Sequence, residues 1–218
     1  CSSDLGPGNP PNPTGHRTAY LWQRVWQRDA WLDLINRFVH VEPAATKGGA
    51  PTVIFPRFHQ WDAVLTLEAD AKAKGAGQNY LIQHSAGSGK SNTIAWLAHR
   101  LSVLHSAEDE KVFDKVVVIT DRVVLNRQLQ DTIYQFEHTH GVVERIESGS
   151  KQLAEALEGE RARIIITTIQ TFPFVLDKIG STPGRRYAVI VDEAHSSQTG
   201  EAAKDLRIAL SGSEEQEL

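Results

Sequence analysis

Short apolar runs punctuate the later part of the chain, at residues 79–83 (NYLIQ), 115–120 (KVVVIT), 163–168 (RIIITT) and 187–192 (YAVIVD). Each is nearly continuous rather than alternating, the pattern of strands buried on both faces of a parallel sheet. Between them, residues 89–106, 122–137 and 150–158 carry apolar positions at helical spacing. Strands alternating with helices predict an α/β fold with a parallel sheet flanked by helices.

The first part of the chain has a different rhythm. Leu21, Val25, Leu32, Ile35 and Val39 recur at helical spacing, and Trp22, Trp26 and Trp31 widen that stripe, so residues 18–40 read as one amphipathic helix with the tryptophans packed against it. Residues 42–52 (EPAATKGGAPT) read as a loop and 60–74 as a second helix. Residues 1–15, rich in Pro, Gly, Asn and Ser, have little to bury and read as a linker.

Composition narrows the classes. With 218 residues, 40% of them hydrophobic and 23% charged, the chain has enough apolar material for a core. It has no apolar run of membrane-spanning length. A single cysteine, Cys1, forms no internal disulfide and fits a reducing, cytoplasmic setting. A first residue that is Cys, in a chain with no Met, leads us to expect a piece of a longer protein. The net charge of −4 argues against holding nucleic acid through a broad basic surface. Any such contact would be local, through a few side chains and backbone amides.

The chemistry begins where the first apolar run ends. NYLIQ passes into His84-Ser85-Ala86-Gly87-Ser88-Gly89-Lys90-Ser91 and then into a helical pattern. Gly87 and Gly89 allow the chain to bend so that amide groups turn inward as an anion cradle. The helix start adds its own N–H groups and positive dipole end. Lys90 reaches the β- and γ-phosphates of a nucleotide, and the Ser91 hydroxyl ligates Mg²⁺. Ser85, Ala86, Gly87, Ser88 and Gly89 complete the cradle for ATP. His84 stands where the usual pattern has Gly.

About a hundred residues later the fourth run ends in Asp192-Glu193-Ala194-His195. Carboxylates at the end of a buried strand lie at the edge where open α/β sheets bind ligands. Asp192 holds Mg²⁺ in this reading, Glu193 positions and polarises the attacking water, and His195 couples the nucleotide site to the nucleic-acid side.

With these two motifs the chain resembles the superfamily 2 helicases and translocases. More narrowly it resembles the motor region of the R (restriction) subunit of type I restriction-modification enzymes. PRFHQWDAV (56–64), NYLIQHSAGSGKSNTIAWLAHRL (79–101), VVVITDRVVLNRQLQDTI (116–133), IIITTIQTF (164–172) and VIVDEAHSSQTGE (189–201) carry the likeness. It implies a RecA-like ATP-binding domain over 56–218, a helical linker segment over 18–55 and a linker over 1–17. Gln60 would read adenine; the alternative is a surface glutamine at a helix start. Thr120, Asp121 and Arg122, and Thr167, Thr168 and Gln170, match segments that contact the nucleic-acid backbone; local capping is the alternative for each.

The resemblance also implies partners: ATP and Mg²⁺ as cofactors, duplex DNA, and the modification and specificity subunits of the restriction complex. It implies a nuclease and a second motor domain in the parent protein, with the arginine finger supplied by the latter. Two other readings stand beside it: another superfamily 2 motor of the type III restriction or repair kind, and an isolated ATP-binding module with little turnover. His138 and His140 form an H-x-H with no further ligand set, and Arg185-Arg186 reads as a loop charge pair.

Overall fold

The computed structural model describes residues 10, 12–42, 44, 48–85, 87–120, 123–136, 141–146, 149–168, 170 and 184–192, without the side chains of 123–128 and 150. The chain divides into two compact units, Cys1–Leu67 and Glu68–Leu218.

In the first unit the expected helix over 18–40 is broken. A single π-helical turn spans Leu21–Val25, and α1 begins only at Arg28 and runs to Arg37. Gln27 lies between them with extended backbone (φ −62°, ψ 139°). Burial follows the break. Ala19, Val25, Leu34 and Phe38 are buried, whereas Leu32 and Ile35 of the expected stripe are 56% and 49% exposed. The expected packing of the tryptophans fails for the same reason: Trp22, Trp26 and Trp31 are all exposed, with Trp31 set against Phe55 at 6.3 Å between rings. The expected loop over 42–52 connects β1 (His40–Glu42) to β2 (Thr52–Ile54), an antiparallel pair with Val41 opposite Val53. Strands of three residues leave too short a pattern to read in a sequence.

Helix α2 (Phe58–Lys74) contains the residues at which the two units divide. Near its start, Arg24 lies over the rings of Phe58 and Trp61, 5.1 and 5.5 Å from their centroids, and pairs with Asp62 at 2.7 Å.

The second unit is the α/β body. Helices α3 (Lys90–Ser102), α4 (Val123–Gln135) and α5 (Ser150–Glu158) fall where the apolar spacing placed them, with shorter ends for the first two. Strands β3 (Lys115–Thr120), β4 (Val143–Arg145), β5 (Ile164–Thr168) and β6 (Tyr187–Val191) form a parallel sheet of order β4-β5-β3-β6. All six residues of β3 are buried, as a central strand with both faces covered requires. Val117, Ile119 and Ile165 pack with Leu153, Ala154, Ala156 and Leu157 of α5 on one face. Val116, Val118, Ile164 and Ile166 are also buried, and by alternation they meet the other face, where α3 and α4 lie. Trp96 of α3 meets Phe136 edge-on at 5.6 Å, and His99 Nε2–H donates to Ile133 O at 2.9 Å.

One expected strand is absent. Residues 79–83 take no strand pairing among the described residues, and Leu81 is 82% exposed. A strand exists through its ladder, and an apolar run without a neighbouring strand stays irregular. The segment is tied instead by Tyr80, whose hydroxyl donates to Asp70 of α2 at 2.8 Å, while Lys74 pairs with the same carboxylate at 2.8 Å.

The expected loop pair Arg185-Arg186 has a structural task. Arg185 donates to the carbonyls of Leu157 (2.6 Å) and Glu158 (2.8 Å) and pairs with Glu160, closing the C-terminus of α5. Arg186 N donates to Asp114 Oδ2 at 2.7 Å, which aligns the starts of β3 and β6.

Lys115, at the start of β3, is 3% exposed and donates from Nζ to Ala162 O at 2.7 Å. Burial lowers its pKa first, and the Arg185 guanidinium lowers it further; Glu160 and Glu144 act in the opposite sense. A lysine whose folded pKa is depressed destabilises the fold fully below that pKa. The penalty fades as pH rises from there toward the unfolded value of 10.5. Denaturant titrations at pH 7 and pH 10 are therefore expected to show Lys115→Met gaining relative stability at the lower pH and losing that advantage at the higher. A difference that does not change with pH would contradict this.

Candidate nucleotide site

The glycine loop lies before α3, in the second unit. Gly87 and Gly89 both have left-handed backbone, φ 72° and 86°, which side chains bearing a Cβ rarely adopt. A Cβ built on Gly87 meets nothing within 4 Å, so the space beside the loop is open. Ser88 N donates to Ser85 O at 3.2 Å and closes the turn. Gly89 is the residue before the helix, and its carbonyl accepts the Thr93 amide at 3.3 Å, with the Thr93 hydroxyl at 3.4 Å. Lys90 and Ser91 are thus the first helical residues, both half-buried. The bend followed by a helix start is the backbone form of an anion cradle. Ala86 lies outside the described residues, as do Glu193 and His195.

The second cluster is at the carboxyl ends of the strands. In chain order β4 and β5 fall on one side of β3 and β6 on the other. All four strands are parallel, so their carboxyl ends share one edge, the edge where open α/β sheets accept ligands. Asp192 follows β6 directly, half-buried, and its amide donates to Ile119 O at 2.9 Å. A helix-start serine and a strand-end carboxylate are hard oxygen donors, the set that Mg²⁺ prefers. Among the described residues no group of three His, Cys, Asp or Glu side chains forms a metal site, and His138 and His140 lie outside them.

The candidate nucleic-acid residues separate by exposure. Thr168 is half-buried and Gln170 exposed, whereas Thr120 and Thr167 are each 1% exposed. A nucleic-acid strand on the surface does not meet a hydroxyl buried to that extent. Neither hydroxyl has a hydrogen-bond partner among the described residues, and such an orphan costs about 1–3 kcal/mol. Asp121 and Arg122 lie outside the described residues.

Gln60, in the first unit, is 4% exposed, not a surface glutamine. Its Oε1 accepts the Arg57 amide at 2.9 Å, one half of a capping box at the start of α2. To read adenine, its carboxamide would share or release that bond. The signal was present in the sequence, as a glutamine three residues after the helix start, and it also fits a cap.

A family model of SWI2/SNF2 ATPases matches residues 59–214. No curated protein matches the sequence. Among solved structures, the UvsW helicase from bacteriophage T4 is similar with a TM-score of 0.53 at 18% identity, over 85% of this chain and 57% of that one. A second structure of T4 UvsW gives a TM-score of 0.54 at 18% identity, over 85% of this chain and 32% of that one. This chain therefore spans about half or less of the proteins it resembles, and at that identity the likeness concerns the fold, which is RecA-like. No described helix is long and apolar enough to cross a membrane. The glycine loop, the carboxylate at the carboxyl end of β6 and the match over most of the length lead to one conclusion: the chain belongs to the SWI2/SNF2 ATPase family.

Proposed function

We propose that this chain is the ATP-binding part of a DNA-translocating motor of the type I restriction R subunit kind, with the motor domain over 56–218, a helical lead over 18–55 and a linker over 1–17. The observation that carries the reading is the order of the motifs along the second unit. HSAGSGKS precedes α3, the ITDR segment ends β3, and DEAHSSQTGE follows β6.

In this proposal residues 85–91 hold the ATP phosphates, with Lys90 on the β- and γ-phosphates. Ser91 and Asp192 ligate Mg²⁺, which neutralises phosphate charge when bound. Glu193 orients the attacking water, Gln60 contacts adenine, and His195 passes the nucleotide state toward the DNA side. Arg122, Thr168 and Gln170 meet the DNA backbone, a set of local contacts suited to a net charge of −4. The restriction complex supplies the modification and specificity subunits as partners of the parent protein.

The family match is equally compatible with another superfamily 2 motor. The intact subunit, assembled with its modification and specificity subunits, separates the two. ATP turnover is expected to rise when duplex DNA carrying the specificity site is added, and to stay low on duplex without it. Equal stimulation by any duplex, with no need of the other subunits, would favour the alternative. No stimulation by DNA would reject both.

A further inference from the structure

The first unit carries an apolar surface that the proposed motor chemistry does not use. It starts on the β1–β2 ribbon, where Val41 and Val53 stand opposite each other, 59% and 61% exposed. The next pair, His40 and Ile54, is half-buried, so the ribbon turns one face inward and the other to solvent. Phe55, two residues after Val53, is also exposed and continues the outer face. Its ring lies 6.3 Å from that of Trp31, which carries the surface on to α1. There Trp31, Leu32 and Ile35 are all exposed, and spacings of three and four put them on one side of the helix.

Size and charge say what covers it. Six large apolar side chains, each near half exposed, leave on the order of 500 Å² of apolar surface in one place. The largest patch on a soluble monomer is about 300–600 Å², and patches of that size mark interaction sites. A stable dimer buries about 800 Å² on each partner, an apolar core inside a polar rim, so this face supplies most of one side. The ribbon also calls for cover: two strands of three residues are marginal in water, and among the described residues no third strand joins them. The charges of α1 balance, Arg28 and Arg37 against Asp29 and Asp33, with Arg37 paired to Asp33 at 3.5 Å. A polyanion gains little from such a rim. An uncharged apolar face with a balanced rim is complementary to itself, which an isologous contact requires.

We propose that this face is the contact between two copies of the chain related by a two-fold axis, with Val41, Val53 and Phe55 of the ribbon and Trp31, Leu32 and Ile35 of α1 forming its core. The dimer lies apart from the nucleotide chemistry, so the failure of either leaves the other standing.

The test is sedimentation velocity over about 1–100 μM, the range in which a modest interface fills. The 218-residue chain is expected to pass from monomer to dimer across it. Ile35→Glu and Val53→Glu each place a charge within the face, twice in every dimer by symmetry, and each is expected to weaken the dimer at least about a hundredfold. Leu81→Glu, at an exposed leucine of the second unit, is expected to leave the dimer intact. All three positions are exposed, so the variants should melt near the parent chain. A chain that is monomeric at every concentration overturns the proposal, as does a dimer that survives both Ile35→Glu and Val53→Glu. An intact subunit that stays monomeric while the 218-residue chain dimerises gives the face to another part of that subunit, and the proposal fails. It fails equally if the chain is monomeric and binds a fluorescein-labelled single-stranded DNA of about twenty nucleotides in a way that Ile35→Glu abolishes, which assigns the face to nucleic acid.

Discussion

Lys90→Ala is expected to lower ATP turnover by at least about a hundredfold, the usual scale for removing one electrostatic contact to a reacting group in a closed site. Lys90 is the first residue of α3, directly after the left-handed Gly89. A lysine there extends from a helix start whose free amides favour an anion, so its charge adds to theirs. Fluorescent-nucleotide titration should show weakened binding alongside the lost turnover. Glu193→Gln supplies the contrast. It is expected to keep nucleotide binding near that of the parent while turnover falls by a similar factor, because a water-orienting group acts on the reaction step. DNA-stimulated turnover that survives Lys90→Ala would exclude this loop as the catalytic nucleotide site.

The second large effect concerns folding. Arg100 of α3 meets Glu68 of α2 at 2.5 Å, Nε to Oε2, with side chains 8% and 16% exposed. Removing one partner of a pair this deeply buried takes from the other charge an ion pair made out of reach of water, a loss of about 3–5 kcal/mol. Glu68→Ala is therefore expected to lower the melting temperature by roughly 10 °C, at about 2–4 °C per kcal/mol for chains of this size. The double variant Glu68→Leu/Arg100→Met is expected to recover most of that loss, since it removes both charges and keeps apolar volume. Urea denaturation of the single and double variants checks both statements. A double variant as unstable as the single would show that the pair matters for its hydrogen bonds rather than for its charge balance.

The pair also shows what could not be read from the chain. Glu68 and Arg100 are separated by 32 positions, and nothing local marks either as a partner. The same holds for Arg185, which looks like a charged loop residue and closes α5. Thr120 is a further case. Its motif suggested a surface contact, whereas its place at the end of a strand with neighbours on both sides buries it.

The sequence by itself determined the alternation of strands and helices in the second unit, the parallel sheet, and the glycine loop before a helix start. Those depend on period, on left-handed glycines and on runs of β-branched residues, all of which act within a few positions. The tertiary structure decided the rest. It broke the first helix near Gln27, where Leu32 and Ile35 found no face to cover them. It gave residues 79–83 no ladder among the described residues, because a strand needs a neighbour that local pattern cannot supply. It also buried Thr120 at the end of β3, since strand order and register are properties of the sheet and not of any one segment.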